Sequence, residues 1–148
     1  MIKPHLISCS ALAVFCTLAS GSGVSNYLET PDRGKRVEIQ VNVDGIKTAQ
    51  MAYDATFDTY LACDRTPQGK PSQEYRDWPA YGSGPFDELG WAPDGQVRGV
   101  YWVTTSWRDG IADFTVHGIS DVDGDGVQAH YTATKSIHST LITPTNVY

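Results

Sequence analysis

The 148 residues, 41% hydrophobic and 11% aromatic, suffice for one buried core and do not call for a second domain. The 17 acidic and 11 basic residues leave a formal charge of −6 with no long like-charge run. That balance argues against a surface built to track phosphates, and so against nucleic acid as a partner.

At the amino end, Met1-Ile2-Lys3-Pro4-His5 places one positive charge before the apolar run Leu6 to Leu18, which closes in Ala19-Ser20-Gly21-Ser22-Gly23. Residues 1–22 therefore read as a secretory signal peptide, since the run of roughly 13 residues falls short of the ~20 needed to span a bilayer. Export to the extracellular space or cell surface is expected, with periplasm or outer envelope as the alternative. Leu6-Ile7-Ser8-Cys9 looks like a lipobox but lies too near Met1. Of the cysteines, Cys9 and Cys16 fall in the leader, which leaves Cys63 alone. One thiol makes no internal disulfide and lacks the paired spacing of a zinc site, so a small hydrophobe is expected rather than a nucleophile or an intermolecular bridge.

Residues 23–36, with Pro31 and Gly34, read as a linker or the start of a helix. The globular domain is expected over 37–148. Ile39, Val43, Ile46, Tyr53, Phe57 and Tyr60 recur at helical spacing and predict an amphipathic helix of about six turns. Gly45 and the β-branched residues near Val37 to Val43 weaken its amino half, so packing must supply what propensity does not. The stretch Asp64 to Gly90, with Pro71, Pro79 and Pro85, predicts a long surface loop. Beyond it, Val97 to Thr105, Asp113 to Ile119 and Gln128 to Thr134 alternate as strands. They are separated by Trp107-Arg108-Asp109-Gly110 and by Asp121-Val122-Asp123-Gly124-Asp125-Gly126, lengths that suit antiparallel hairpins. The tail Ser136 to Tyr148 reads as no more than a segment tucked along an edge.

The expected fold is α+β: one long amino-terminal amphipathic helix packed on a three- to four-stranded antiparallel meander. The sheet face bearing Tyr101, Val103, Phe114, Val116 and Tyr131 covers the helix stripe.

Several strings carry a family resemblance. Asn26-Tyr27-Leu28-Glu29, Lys35-Arg36-Val37-Glu38 and the run Val41 to Tyr53 resemble the long helix of a type IV pilin or pseudopilin globular domain. Phe86-Asp87-Glu88-Leu89-Gly90-Trp91, with Pro93 and Gly95, resembles the entry to its sheet. The Asp121 to Gly126 turn with Tyr131-Thr132-Ala133-Thr134-Lys135 resembles its last hairpin. The amino terminus departs from that family: no cleavage glycine and nearby glutamate occur, and Pro31 with Gly34 is expected to interrupt the helix. The resemblance implies a structural subunit of an extracellular pilus or pilus-like fibre. Its expected partners are other copies of itself or pilin-like subunits, or a separate subunit that supplies the hydrophobic helix. The alternative is a soluble calcium-dependent binding module of the cell envelope.

Asp121, Asp123 and Asp125 alternate with glycine at the sixth position, a pattern that can wrap a hard cation in oxygen ligands, and calcium is the natural candidate cofactor. Asp-Gly pairs also make tight turns without any metal. Thr132 stands where an EF-hand needs its bidentate glutamate, and strand residues follow, so the loop is not an EF-hand. Some pseudopilins carry calcium near their last strands, and the resemblance favours the metal to that extent. His117 and His130 could pair across strands for a transition metal, but solvent-facing positions account for them more simply. No nucleophile motif or phosphate-binding glycine loop occurs, and an enzyme is not expected. Trp78, Tyr81, Trp91, Tyr101, Trp102 and Trp107 are expected to pack in a core or an interface.

Overall fold

The computed structural model describes residues 22–80 and 84–148, with the backbone alone for residues 22–30 and Arg108. The expected leader, with His5, Cys9 and Cys16, lies outside the described residues except for Ser22, as does Tyr81. The elements run α1 (Ser22–Phe57), β1 (Cys63–Thr66), α2 (Pro85–Glu88), β2 (Val100–Arg108), β3 (Ile111–Ser120), β4 (Ala129–Thr134) and β5 (Thr140–Leu141). The strands form one antiparallel sheet in the order β1-β2-β3-β4-β5, a meander without crossovers.

The α+β class agrees with the sequence reading, but the agreement is with the class and not with a pilin fold as such. The sheet has five strands rather than three or four. The additional pairings come from short segments: β1, whose four residues sit inside the stretch read as loop, and β5, only two residues long in the tail. Neither is long enough to show a period of two.

Helix α1 continues without a break through Pro31, so of the two readings for 23–36 the helix holds and the expected interruption is absent. Ile39, Val43 and Ile46 are fully buried, and the fully buried Gln50 completes the same stripe. Gln50 takes both hydrogen-bonding groups of Leu61, its Nε2 donating to the Leu61 carbonyl at 2.6 Å and its Oε1 accepting from the Leu61 N–H at 3.0 Å. That pair fixes the turn by which the chain leaves the helix. The helix ends at Phe57, so Tyr60, though buried, packs from beyond it, while Phe57 and Met51 are exposed.

Tyr101, Val103, Phe114, Val116 and Tyr131 are all buried on the face toward α1, as alternation predicted. The register pairs Tyr101 with Gly118 and Gly118 with Tyr131. A Cβ at Gly118 would lie 2.5 Å from Val43 Cγ2 and 2.8 Å from Ile39 Cγ2, so the absent side chain is what lets α1 settle onto β3. Gly45, a weak point by propensity, has the Trp91 indole packed against it, where a Cβ would meet Nε1 at 2.9 Å.

Trp91 and Tyr101 pack with Trp78 and Phe86, two residues of the stretch 64–90 expected as surface loop, so the core packing expected for Trp78, Trp91 and Tyr101 is found and the loop is not all surface. Trp78, Phe86, Trp91 and Tyr101 pack edge-on and tilted at centroid distances of 5.3 to 6.2 Å. A bridge between Arg76 and Val97 ties the segment to the sheet entry. The prolines and glycines signalled irregular backbone correctly, but irregular backbone and a packed interior are compatible when aromatic rings supply the buried area. The tail is clamped as well: buried Arg36 donates to the carbonyls of Thr145 and Val147 and stacks over the Tyr148 ring.

Candidate metal centre

The β2–β3 connection is a two-residue turn with both central residues at positive φ, Asp109 at 53° and Gly110 at 78°, the mirror-image geometry that suits the twist of a hairpin. The β3–β4 connection is longer and holds Asp121, Asp123 and Asp125. One carboxylate oxygen from each lies within 4.8 Å of the others. Glycine at 124 and 126, with φ of 75° and 85°, lets the backbone fold back so that alternate side chains converge.

The loop is braced from inside and outside. Asp123 Oδ1 accepts from the Asp125 N–H at 3.5 Å, and Asp125 Oδ1 accepts from the Val127 N–H at 2.7 Å. Gln73 Nε2 donates to the Asp123 carbonyl, with its side chain lying across Gly124. Each of Asp123 and Asp125 thus commits one oxygen to shaping the loop and keeps the other. Asp121 Oδ1 is buried and has no hydrogen-bond partner among the described residues. Burial, with Asp125 and Asp121 adding like charge, raises the Asp123 carboxyl above the usual range.

Three carboxylates held together without a counter-charge repel one another, and an orphaned buried carboxylate oxygen costs free energy. A hard divalent cation relieves both, so the donor set fits calcium: all oxygen, charged and open to water. Asp121, Asp123 and Asp125 are the residues that would hold it. Thr132 lies in β4, half-buried, so the EF-hand remains excluded on structural grounds.

The remaining sequence candidates are dispersed. Cys63 is a buried free thiol that points to the Leu61 carbonyl, and burial, then the charges of Asp64 and Glu88, push its pKa up to about 12. A thiol so placed stays protonated, as a packing residue would. Trp107 is exposed at the tip of the β2–β3 hairpin, apart from the aromatic layer. His138 lies beside Asp44 at 3.4 Å. His117 and His130, for which the sequence allowed a cross-strand pair but favoured plain solvent-facing positions, are brought into direct contact at 3.1 Å. Strand alternation alone could put both on one face, but their juxtaposition depends on the β3–β4 register, which the loop length did not fix. A cavity of about 220 Å³ is lined by Trp78, Phe86 and Asp87 among others. No helix among the described residues is long and apolar enough to cross a membrane.

Comparison of the chain with protein-family models, with curated proteins and with solved structures finds no match.

Proposed function

We propose that the protein is a structural subunit of an extracellular pilus-like fibre, akin to a type IV pilin, with α1 as the spine and the sheet as the exposed face. The observation that carries this reading is the mismatch between the helix and its cover. Helix α1 runs 36 residues, about 54 Å at 1.5 Å per residue. Of residues 31–35, the part of it before Arg36 whose side chains are described, none is buried. The sheet-facing stripe from Arg36 to Gln50 accounts for about 21 Å of that length. A helix that outruns its own domain is suited to contacts with other copies.

The outward side of the covered part supports the same reading. Val37 and Val41 lie one turn apart and are 52% and 62% exposed, and Met51, about 15 Å further along the same side beyond Asp44 and Thr48, is 46% exposed. An apolar stripe opposite the buried one is what a helix needs if it packs against a sheet on one side and against another subunit's helix on the other. Partners are therefore other copies of the chain or pilin-like subunits, with a separate hydrophobic-helix subunit as a further arrangement. In this reading calcium at Asp121, Asp123 and Asp125 pins the β3–β4 loop of an exported protein.

The test is assembly of the full chain with the Val41→Glu variant as control. Sedimentable filaments for the wild type and none for Val41→Glu, with folding stability unchanged to within about 0.5 kcal/mol, support the fibre. The second reading, a soluble calcium-dependent binding module of the cell envelope, is favoured by the carboxylate loop alone. A wild-type chain that stays monomeric and binds a glycan or protein only with calcium would replace the first reading with the second.

A further inference from the structure

The face of the sheet turned away from α1 carries a cluster that fibre assembly does not use. His117 on β3 is opposite Trp102 on β2, and His130 on β4 is its diagonal neighbour, because His117 pairs with Thr132 and Ile119 with His130. The Trp102 and His117 rings stack at 4.7 Å with 7° between their planes. Arg65 covers the Trp102 ring at 4.3 Å. His117 Nδ1 and His130 Nε2 are 3.1 Å apart, and His117 Nε2 is 3.2 Å from Thr104 Oγ1. Both imidazoles are half-buried, so one side of the pair is open to water.

We propose that His117 Nδ1 and His130 Nε2 form a two-imidazole chelate for a borderline divalent transition ion, copper(II), nickel(II) or zinc(II), with water completing the coordination. The spacing is that of ligands sharing one ion: two metal–nitrogen bonds of about 2.05 Å meeting near 98° hold their nitrogens about 3.1 Å apart. Without metal, one ring donates to the other. The hydrogen bonds run consistently if His130 Nε2–H donates to His117 Nδ1 and His117 Nε2–H donates to Thr104 Oγ1. Thr104 thereby holds the His117 tautomer whose Nδ1 lone pair is free, which is the task of an outer partner in a histidine metal site. Loading then needs only a tautomer change at His130, which bares Nε2 and leaves the proton on Nδ1.

The electrostatics suit neutral ligands. Burial, then the neighbouring His130 and Arg65, lower the His117 pKa from 6.5 to about 4, and burial and Arg65 lower that of His130, so both rings are uncharged at neutral pH. Nitrogen donors and the absence of a carboxylate in the pair select borderline ions over calcium, which separates this site from the aspartate loop. Arg65 opposes a cation, and its charge limits the affinity.

The experiment titrates the full chain with copper(II) alone, the tightest-binding of the three ions at a nitrogen site. Electron paramagnetic resonance and tryptophan fluorescence are read together, since copper beside the Trp102 stack quenches emission. One bound ion with two nitrogen ligands is expected. His117→Gln and His130→Gln should each lower affinity at least about tenfold, Arg65→Gln should raise it, and His138→Gln and Asp123→Asn should leave it unchanged. Equal affinity in the His117→Gln/His130→Gln double variant, or no binding by the wild type at millimolar copper(II), overturns the proposal. If the histidine variants fail to fold, ring-nitrogen NMR of the wild type with zinc(II) decides. Shifts at His117 Nδ1 and His130 Nε2 support the chelate, and shifts confined to His138 or absent altogether refute it.

Discussion

The two faces of the sheet obey the same alternation and do opposite things with it. Toward α1, Val103, Val116 and Ala133 line up across three strands with Tyr101, Gly118 and Tyr131 in the next row, and all of these residues are buried. Away from α1, Trp102, His117 and His130 stand among threonines, half-buried, with hydrogen bonds and ring contacts among themselves. The inner face is held by area removed from water, which tolerates little change in shape. The outer face is held by specific polar and aromatic contacts, which stabilise less and recognise more.

The sharpest way to break the comparison is to cut the inner face. Phe114, 1% exposed and tilted against the Tyr60 ring at 4.7 Å, should cost about 3–5 kcal/mol when changed to alanine, measured by denaturant unfolding. A loss under about 1 kcal/mol would mean that the helix and sheet are not one core. Gly118→Val asks whether closeness matters as much as apolarity. The new side chain would meet Val43 and Ile39, and a loss of about 1–3 kcal/mol is expected although hydrophobic area increases.

The outer face should respond to pH instead. Because His117 titrates near 4 in the fold and near 6.5 when unfolded, the unfolded chain binds more protons between those values. Stability contributed by the neutral ring is therefore present above about pH 6.5 and is lost as pH falls toward 4. Thermal melts of the wild type and His117→Gln should diverge in that window and run parallel above it. The smallest effect is that of calcium on the melting temperature, expected to rise by a few degrees and not at all in Asp123→Asn. An unchanged wild-type melt at millimolar calcium would remove the metal from the aspartate loop.

The same contrast explains what could be read from the sequence. The helix stripe from Ile39 to Ile46 and the three long strands follow from periodicity, which is written in successive residues. The aspartate loop was legible because all three carboxylates sit within five positions. Core packing of Trp78, Trp91 and Tyr101 was legible from the size of their rings, but their contact with one another and with Phe86 was not, because the four are scattered over 24 positions of proline-rich chain and meet only when the fold brings them together. Pro31 predicted a break that did not occur. A lost N–H weighs little when the rest of a long helix is intact and solvent lies on the proline's side, as its exposure indicates. Gln50 had no place in the apolar stripe as read from spacing, yet its amide is what closes the helix onto Leu61. The histidine pair required the β3–β4 register, which a loop of variable geometry leaves open until the strands pair.

The central claim is that α1 builds a fibre and the sheet faces outward from it. Immunogold electron microscopy of the host, with antibodies raised against the folded 37–148 region and purified on it, tests that claim directly. Gold rows along surface filaments, lost when the gene is deleted and restored by the wild type but not by Val41→Glu, are the expected result. Gold confined to a soluble envelope fraction, with filaments absent or unaltered by the deletion, would contradict it.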